Sequence, residues 1–225
     1  LRNCRSVGMV NAMDTSDTIL LVIADTARRA ACFKAIAAPG NRIVRGFSDV
    51  ADAIDVLRGV TGACVVIDRS GMSDVAFATC IEALAAHEAA AGLILAPTLE
   101  TADALALLRC QPCDVLLGEG APDEVAARTV ALLPLVRSLD QRCRAQRAAR
   151  AALDRLSPRE RSVLEGLAAG QTSKDIARQY GVSPRTIEVH RASIMRRTGT
   201  ATLAELLRLH FLLEYGASRT LAQAA

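Results

Sequence analysis

Two Ser-Pro dipeptides, Ser157-Pro158 and Ser183-Pro184, constrain this chain more than any other feature. A Ser at a helix N-cap can accept a hydrogen bond from a backbone N–H of the first turn. A Pro at the first helical position lacks only an N–H that would have no partner there. Ser157-Pro-Arg-Glu160 also has capping-box spacing. The Ser157 hydroxyl is placed to accept from the Glu160 N–H, and the Glu160 carboxylate to accept from the Ser157 N–H. Ser183-Pro184 repeats the cap and the N1 Pro without the Glu. Between them, Thr172 to Tyr180 reads as a short helix with Gly181 as its C-cap. The helix opened by Ser183 is predicted over Pro184 to Arg197, and a last one over Leu203 to Phe211 with a broad apolar stripe. Short helices joined by tight turns, one of them rich in Arg, form the pattern of a helix-turn-helix.

Charge separates this region from the rest. Residues 1–136 hold 11 Lys/Arg against 16 Asp/Glu, a net charge of −5. Residues 137–225 hold 16 against 8, a net charge of +8, and together they give the chain's +3. A basic C-terminal half joined to an acidic N-terminal half points to nucleic acid as a partner of the former. The chain of 225 residues is long enough for two modest domains. It contains no apolar run of about 18 residues, so no membrane span is expected. Residues 1–16 read as a polar N-terminal extension without a signal peptide's apolar core, and a cytoplasmic protein is expected. The seven cysteines are 4, 32, 64, 80, 110, 113 and 143. Their odd number, in a cytosolic setting, argues against a structural disulfide framework.

The N-terminal half alternates short apolar runs with helical patterns. The runs are Thr18–Ala24, Arg42–Arg45, Ala63–Asp68, Gly92–Ala96 and Asp114–Leu117. The helical patterns are Thr26–Ala38, Asp49–Val60, Asp74–Ala90 and Thr101–Arg109, punctuated by Pro39-Gly40, Gly59 and Gly71. Continuously apolar strands alternating with helices imply a parallel sheet covered on both faces. Such sheets place their sites at the carboxyl ends of the strands. Asp25 and Asp68 stand at the ends of the first and third runs, so they are predicted to meet at one edge of the sheet.

Two resemblances follow from these residues. Ser157-Pro-Arg-Glu160, the Ile176-Ala177 pair and Ser183 to Arg191 (SPRTIEVHR) resemble the LuxR-type DNA-binding domain at the C-terminus of NarL/FixJ response regulators. The likeness covers about sixty residues. The five-unit pattern over roughly residues 17–130 resembles the receiver domain of the same regulators, with Ile67 to Asp74 as its best match. By position, Asp68 is the phosphoacceptor-like residue and Asp25 a remnant of the acidic site. The departures are several. Receivers carry an acidic pair after the first strand, a Ser or Thr at the end of the fourth and a Lys after the fifth. Here those positions hold Ala24 beside Asp25, Ala96 (with Thr98 two residues on) and Gly118, and Val115 stands where a switch aromatic belongs. Weak Mg²⁺ binding by Asp25 and Asp68 stays open. The losses remove the groups that stabilise transferred charge and convert it to a conformational change. The resemblance therefore implies a degenerate, or pseudo-, receiver.

The expected architecture is α/β plus all-α. Residues 17–133 form a five-stranded doubly wound parallel sheet, 134–155 a helical linker, and 156–225 a four-helix helix-turn-helix domain. Pro134 is predicted to kink or restart the helix that begins at Pro122. Leu132, Val136, Leu139, Cys143 and Leu153 fall near a heptad seam, which allows either a short coiled coil between subunits or a solvated tether.

The expected function is a sequence-specific DNA-binding transcriptional regulator, and no enzyme. The chain has no Gly-rich phosphate loop, HExxH or GxSxG motif, and His87 has no evident nucleophilic partner. By resemblance, Glu188, Val189 and Ala192 face bases. Glu188 can accept from a cytosine amino group, and Val189 can touch a thymine methyl. Lys174, Arg185, Thr186, Arg191, Arg196 and Arg197 are candidates for phosphate contacts. Ile187, Ile194 and Met195 repeat at helical spacing and are assigned to the core. Leu203, Leu206, Leu207 and His210 resemble the family's dimerisation face, which implies a homodimer on a pseudo-palindromic operator. Control without aspartyl phosphorylation is the first reading. The alternatives are a conventional response regulator phosphorylated on Asp68 by a histidine kinase, and a redox sensor using the Cys110-Gln-Pro-Cys113 pair. RNA polymerase or another regulatory protein could be further partners.

Overall fold

The computed structural model describes residues 17–37, 42–110, 112–118 and 120–214. The expected N-terminal extension, the Pro39-Gly40 break and Cys4 lie outside the described residues. The chain divides into two compact units after Asp140. Among the described residues, no helix is long and apolar enough to cross a membrane.

The first unit alternates strands and helices: β1 (Asp17–Val22), α1 (Thr26–Ala37), β2 (Arg42–Phe47), α2 (Val50–Gly59), β3 (Ala63–Asp68), α3 (Asp74–Ala86), β4 (Ala90–Ala96), α4 (Thr101–Arg109) and β5 (Cys113–Leu117). Helix α5 (Pro122–Leu153) follows. The strands form one sheet in the order β2-β1-β3-β4-β5. Every pairing is parallel, with Leu20 opposite Val65 and Ile67 opposite Ile94. Alternate side chains point to opposite faces. Leu20, Val22, Val65, Ile67 and Ile94 meet α2, α3 and α4 through Leu57, Phe77, Leu84 and Leu107. Ile19, Leu21, Val66, Leu93 and Leu95 meet α1 and α5 through Cys32, Ile36, Val125, Leu133 and Val136. With both faces covered, every residue of β3 and β4 is buried, which explains their unbroken apolar runs. This is the doubly wound sheet that the sequence predicts.

Two local expectations change. The helix predicted over Asp74–Ala90 ends at Ala86, and β4 begins at Ala90. His87 ends it: its backbone N–H donates to the Leu84 carbonyl (3.2 Å), its Nδ1 accepts from the Ala89 N–H (3.2 Å), and its Nε2 lies 3.1 Å from the Val60 carbonyl. Ala propensity favours helix here; pairing of Ala90 with Ala63 on β3 overrides it. Helix α5 also runs on through Pro134 rather than restarting there. An internal Pro costs roughly 3 kcal/mol. The buried stripe Val125, Thr129, Leu133 and Val136 holds the helix on both sides of it, and Pro134 itself is exposed. The heptad seam is largely used inside the chain. Leu132 and Val136 pack with the sheet core, and Leu153 packs with the helical core of the second unit.

The second unit contains α6 (Pro158–Ala168), α7 (Ser173–Tyr180), α8 (Pro184–Thr198) and α9 (Leu203–Glu214). Its core is Leu153, Leu156, Val163, Leu164, Leu167, Ile176, Ala177, Ile187, Ile194 and Leu206. The Ser157–Glu160 capping box is present: Ser157 N–H donates to Glu160 Oε2 (2.8 Å), and Glu160 N–H donates to Ser157 Oγ (3.3 Å). Thr172 and Asp175 form a second box at α7, which the sequence reading did not anticipate. Gly181 ends α7 at φ +64°, a left-handed conformation that costs glycine least. Ser183 caps α8, accepting from the Thr186 N–H at 3.1 Å.

Candidate nucleic-acid interface

Helix α8 has two faces. Ile187 and Ile194 are buried, and Met195 packs against the same core, as expected for those three. Arg185, Glu188, Val189, Ala192 and Arg196 recur at helical spacing on the exposed side. Val189 is 64% exposed, unusual for an apolar side chain on an otherwise well-packed helix. All three residues expected to face bases therefore lie on the outward face.

Glu188 is held in place before any ligand arrives. Its Oε1 accepts from Ser173 Oγ at 2.5 Å and from Arg191 Nη1 at 3.0 Å. Arg191 Nη1 also reaches Ser173 Oγ at 3.3 Å. The Ser173 hydrogen bond, with help from Arg191, keeps the Glu188 carboxyl below its ordinary range. The group stays anionic and able to accept. Ser173 is a positioning residue that the sequence reading missed. Its contact spans fifteen residues, from the first turn of α7 to the first turns of α8, and leaves no local signature.

The expected phosphate contacts sort into groups. Lys174, Arg185 and Arg196 are exposed. Thr186 is half-buried, with its hydroxyl 2.9 Å from Ser183 Oγ. Arg191 belongs to the Glu188 network. Arg197 is anchored within its own unit: Nη1 donates to the Arg155 carbonyl (3.1 Å), and Nε lies 3.3 Å from Glu160 Oε1. Of the expected dimerisation residues, Leu206 is fully buried in the core, and Leu203 and Leu207 pack against that core. Leu206 is thus a correction: the unit's own interior takes it away from any partner surface. His210 is half-buried with Nε2 3.8 Å from Glu214.

Residues 154–210 match the family described as bacterial regulatory proteins, luxR family. This region is a luxR-family domain. The chain is 59% identical over 54 residues to the transcriptional regulatory protein FixJ of Bradyrhizobium diazoefficiens, covering 24% of this chain and 26% of that one. It is 47% identical over 58 residues to the transcriptional regulatory protein UhpA of Escherichia coli, covering 26% and 30%. The chain thus spans only about a quarter to a third of the length of these curated relatives. The response regulator StyR shares the fold, with a TM-score of 0.69 at 21% identity over 87% of this chain and 98% of that one.

In the first unit, Asp25 and Asp68 come to the same end of the sheet and meet through one residue, Arg28. Asp25 is exposed and accepts from the Arg28 backbone N–H at 2.6 Å. Asp68 is only 2% exposed; its Oδ2 lies 3.1 Å from Arg28 Nε, and its Oδ1 accepts from the Ser70 N–H at 2.9 Å. Arg29 crosses the end of β1, with Nη1 2.5 Å from the Ile23 carbonyl and 3.1 Å from that of Ala24. Arg69 pins the loop after β3 to α3 and α4 through Asp74 and Asp103. Ala96 is fully buried and Thr98 exposed. Gly118 has φ +94°, where an L side chain is strained, and its N–H donates to the Ala96 carbonyl at 2.9 Å. The sequence reading did not foresee that Arg28 covers Asp68. Forty residues separate the two, and the arginine belongs to the opening of α1, where it reads as an ordinary helix former.

Proposed function

We propose that this chain is a sequence-specific DNA-binding transcriptional regulator whose receiver-like unit works without aspartyl phosphorylation. The observation that carries the DNA-binding part is the outward face of α8. It joins exposed cations (Arg185, Arg196) to a pre-oriented acceptor (Glu188) and two apolar tips (Val189, Ala192). Exposed cations meet phosphates and position the domain. An anionic acceptor and small apolar groups on the same helix face are suited to base edges in the major groove. The match of residues 154–210 to the luxR family supports the same reading.

The control reading follows from the end of the sheet. A buried carboxylate already neutralised by a guanidinium does not need a divalent cation. A cation approaching Asp68 Oδ2 would also meet the positive charge of Arg28. The residues present therefore do not suit the Mg²⁺ that a receiver uses, and weak binding at Asp25 and Asp68 is disfavoured. Phosphoryl transfer to Asp68 would have to break the Arg28 pair as well. With Gly118 and Ala96 at the other edge positions, no side chain at either place supplies a lysine ammonium or a hydroxyl for the transferred charge. Control then falls to abundance, a protein partner or another chemical signal.

The test measures intact mass and DNA binding of the full chain with Mg²⁺ and acetyl phosphate, alongside Asp68→Asn. Random-site selection supplies the operator, and the selected sites are inspected for two-fold symmetry. The expected result is one enriched sequence motif, no phosphoryl adduct and unchanged DNA affinity. Failure to enrich any sequence would refute the DNA-reading assignment. An adduct that disappears in Asp68→Asn, together with tighter DNA binding of the treated protein, would refute the phosphorylation-free reading.

A further inference from the structure

Cys110 and Cys113 stand apart from the other described cysteines. Cys110 caps the end of α4, its N–H donating to the Leu107 carbonyl at 3.0 Å. Cys113 opens β5 opposite Gly92 of β4. This four-residue step brings the two Sγ atoms to 3.3 Å, with the Cys113 thiol donating to the Cys110 sulfur. A disulfide needs about 2.0 Å between sulfurs, so each has to move by well under 1 Å. Gly92 keeps the space open: a Cβ there would sit 2.8 Å from Cys113 Sγ. Cys110 is 2% exposed, while Cys113 is half-buried and thus the more accessible of the two.

We propose that Cys110 and Cys113 are a redox-reactive thiol pair that closes to an intramolecular disulfide joining the end of α4 to the start of β5. The oxidant is a peroxide or a small-molecule disulfide. With hydrogen peroxide, the Cys110 thiolate attacks one oxygen and becomes a sulfenic acid as the O–O bond breaks. The other oxygen leaves as hydroxide and becomes water by taking up the proton that the Cys110 thiol had released to solvent. The Cys113 sulfur then displaces the hydroxyl, which departs with the Cys113 proton as a second water. Two thiols are oxidised by two electrons, and one peroxide is reduced. A thiol reductant reverses the change. This use fits a compartment that keeps structural disulfides reduced.

The other thiols are poorly suited to this chemistry. Burial pushes Cys64 up to about 12 and Cys80 to about 11, and it raises Cys32 as well. Cys110 shifts the other way, because the Cys113 thiol donates a hydrogen bond to its sulfur. Cys113 is raised for the same reason and retains the proton it donates. The pair thus combines a stabilised thiolate with a resolving thiol at contact distance. A metal is the other chemistry two thiols could serve. Among the described residues, however, no group of three or more His, Cys, Asp or Glu is placed to hold one.

The test uses the full reduced chain and does not depend on DNA binding. Trypsin cuts after Arg109 and Arg128, and the peptide between them holds Cys110 and Cys113 with no other cysteine. The protein is exposed to hydrogen peroxide or oxidised glutathione, alkylated in denaturant, digested and weighed. The expected result is a 110–128 peptide two hydrogens lighter and free of alkyl groups, reverting on treatment with dithiothreitol. The four other described cysteines are expected to remain alkylated. Cys113→Ser should abolish the crosslink. Doubly alkylated 110–128 peptide after oxidation would overturn the proposal, as would separate glutathione adducts without a crosslink. A crosslink forming no faster in the native chain than in urea would also overturn it, because the native geometry would then contribute nothing.

Discussion

Glu160 offers the sharpest test of how the helical unit is held together. Its side chain is 5% exposed, yet it stays ionised. Burial alone would raise its carboxyl. The Ser157 N–H (2.8 Å), Ser193 Oγ (2.7 Å), Ser157 Oγ (2.8 Å) and Arg197 together outweigh that effect and hold it at about 2, against an ordinary 4.5. At about 1.36 kcal/mol for each tenfold change, this corresponds to about 3 kcal/mol of stabilisation of the charged form in the folded state. Because the folded value is depressed, the contribution is fully present above pH 4.5 and is lost as pH falls toward 2. Glu160→Gln keeps the shape and one acceptor oxygen but removes the charge. It is expected to destabilise the unit by about 2–3 kcal/mol at pH 7, with amide protection in α6 and α8 falling roughly 30- to 150-fold. Hydrogen exchange of the full chain, followed from pH 7 to pH 3, reads both the size and the pH dependence. The gap between wild type and variant should stay constant down to about pH 5 and narrow below 4.5. A loss under about 0.5 kcal/mol at pH 7, or a gap unchanged down to pH 3, would refute the reasoning.

Other perturbations test other parts of the molecule. Arg28→Ala leaves the Asp68 carboxylate buried without its counter-charge and is expected to cost about 2–4 kcal/mol; Asp68→Asn should cost less, because an amide oxygen can still accept from the Ser70 N–H. Thermal melts that reverse this order would sink the ion-pair argument. Glu188→Ala is expected to relax preference at one operator position by about 1–3 kcal/mol, whereas Arg196→Ala weakens binding to all sequences and flattens its salt dependence by about one phosphate. Equal loss of preference in both variants, measured by selection at two salt concentrations, would contradict the division of labour on α8. Gly92→Ala places a Cβ 2.5 Å from Leu84 Cδ2 and should destabilise the sheet unit by about 1–3 kcal/mol, read by urea unfolding followed with exchange on β4.

What the sequence made legible was mostly what is decided within a few residues. The Ser157–Glu160 box, the Ser183 cap and the Gly181 terminator each complete their hydrogen bonds inside one turn, and all three appear as expected. The runs of β3 and β4 were equally readable, because a strand buried on both faces has few polar positions to blur it, whereas the half-exposed β2 and β5, with Arg42, Arg45 and Asp114, gave weaker patterns. The end of α3 lies earlier than expected because Ala-rich sequence favours helix, and pairing with a strand more than twenty residues upstream overrides that preference. The restart expected at Pro134 does not occur for a related reason: a local cost is outweighed by a buried stripe on the same helix. The long-range partners of three carboxylates were invisible. Arg28 on Asp68, Arg197 on Glu160 and Ser173 on Glu188 join residues 40, 37 and 15 positions apart. No periodicity records which of many arginines or serines will make them.

The strand order β2-β1-β3-β4-β5 has a consequence for how the chain is made. The central strands β3 and β4 are apolar on both faces, and neither face is covered until helices from both sides have docked. Parallel pairing also needs a long crossover before each new strand adds. The helical unit, by contrast, closes its core through neighbours in sequence, and such local topologies form orders of magnitude faster. During synthesis, the sheet half is therefore the slow and adhesive part of the molecule, with bare Val, Ile and Leu ribbons exposed while α5 is still emerging. Yield of intact protein should accordingly respond to growth temperature and chaperone supply through residues 17–133, while the helical unit remains comparatively indifferent.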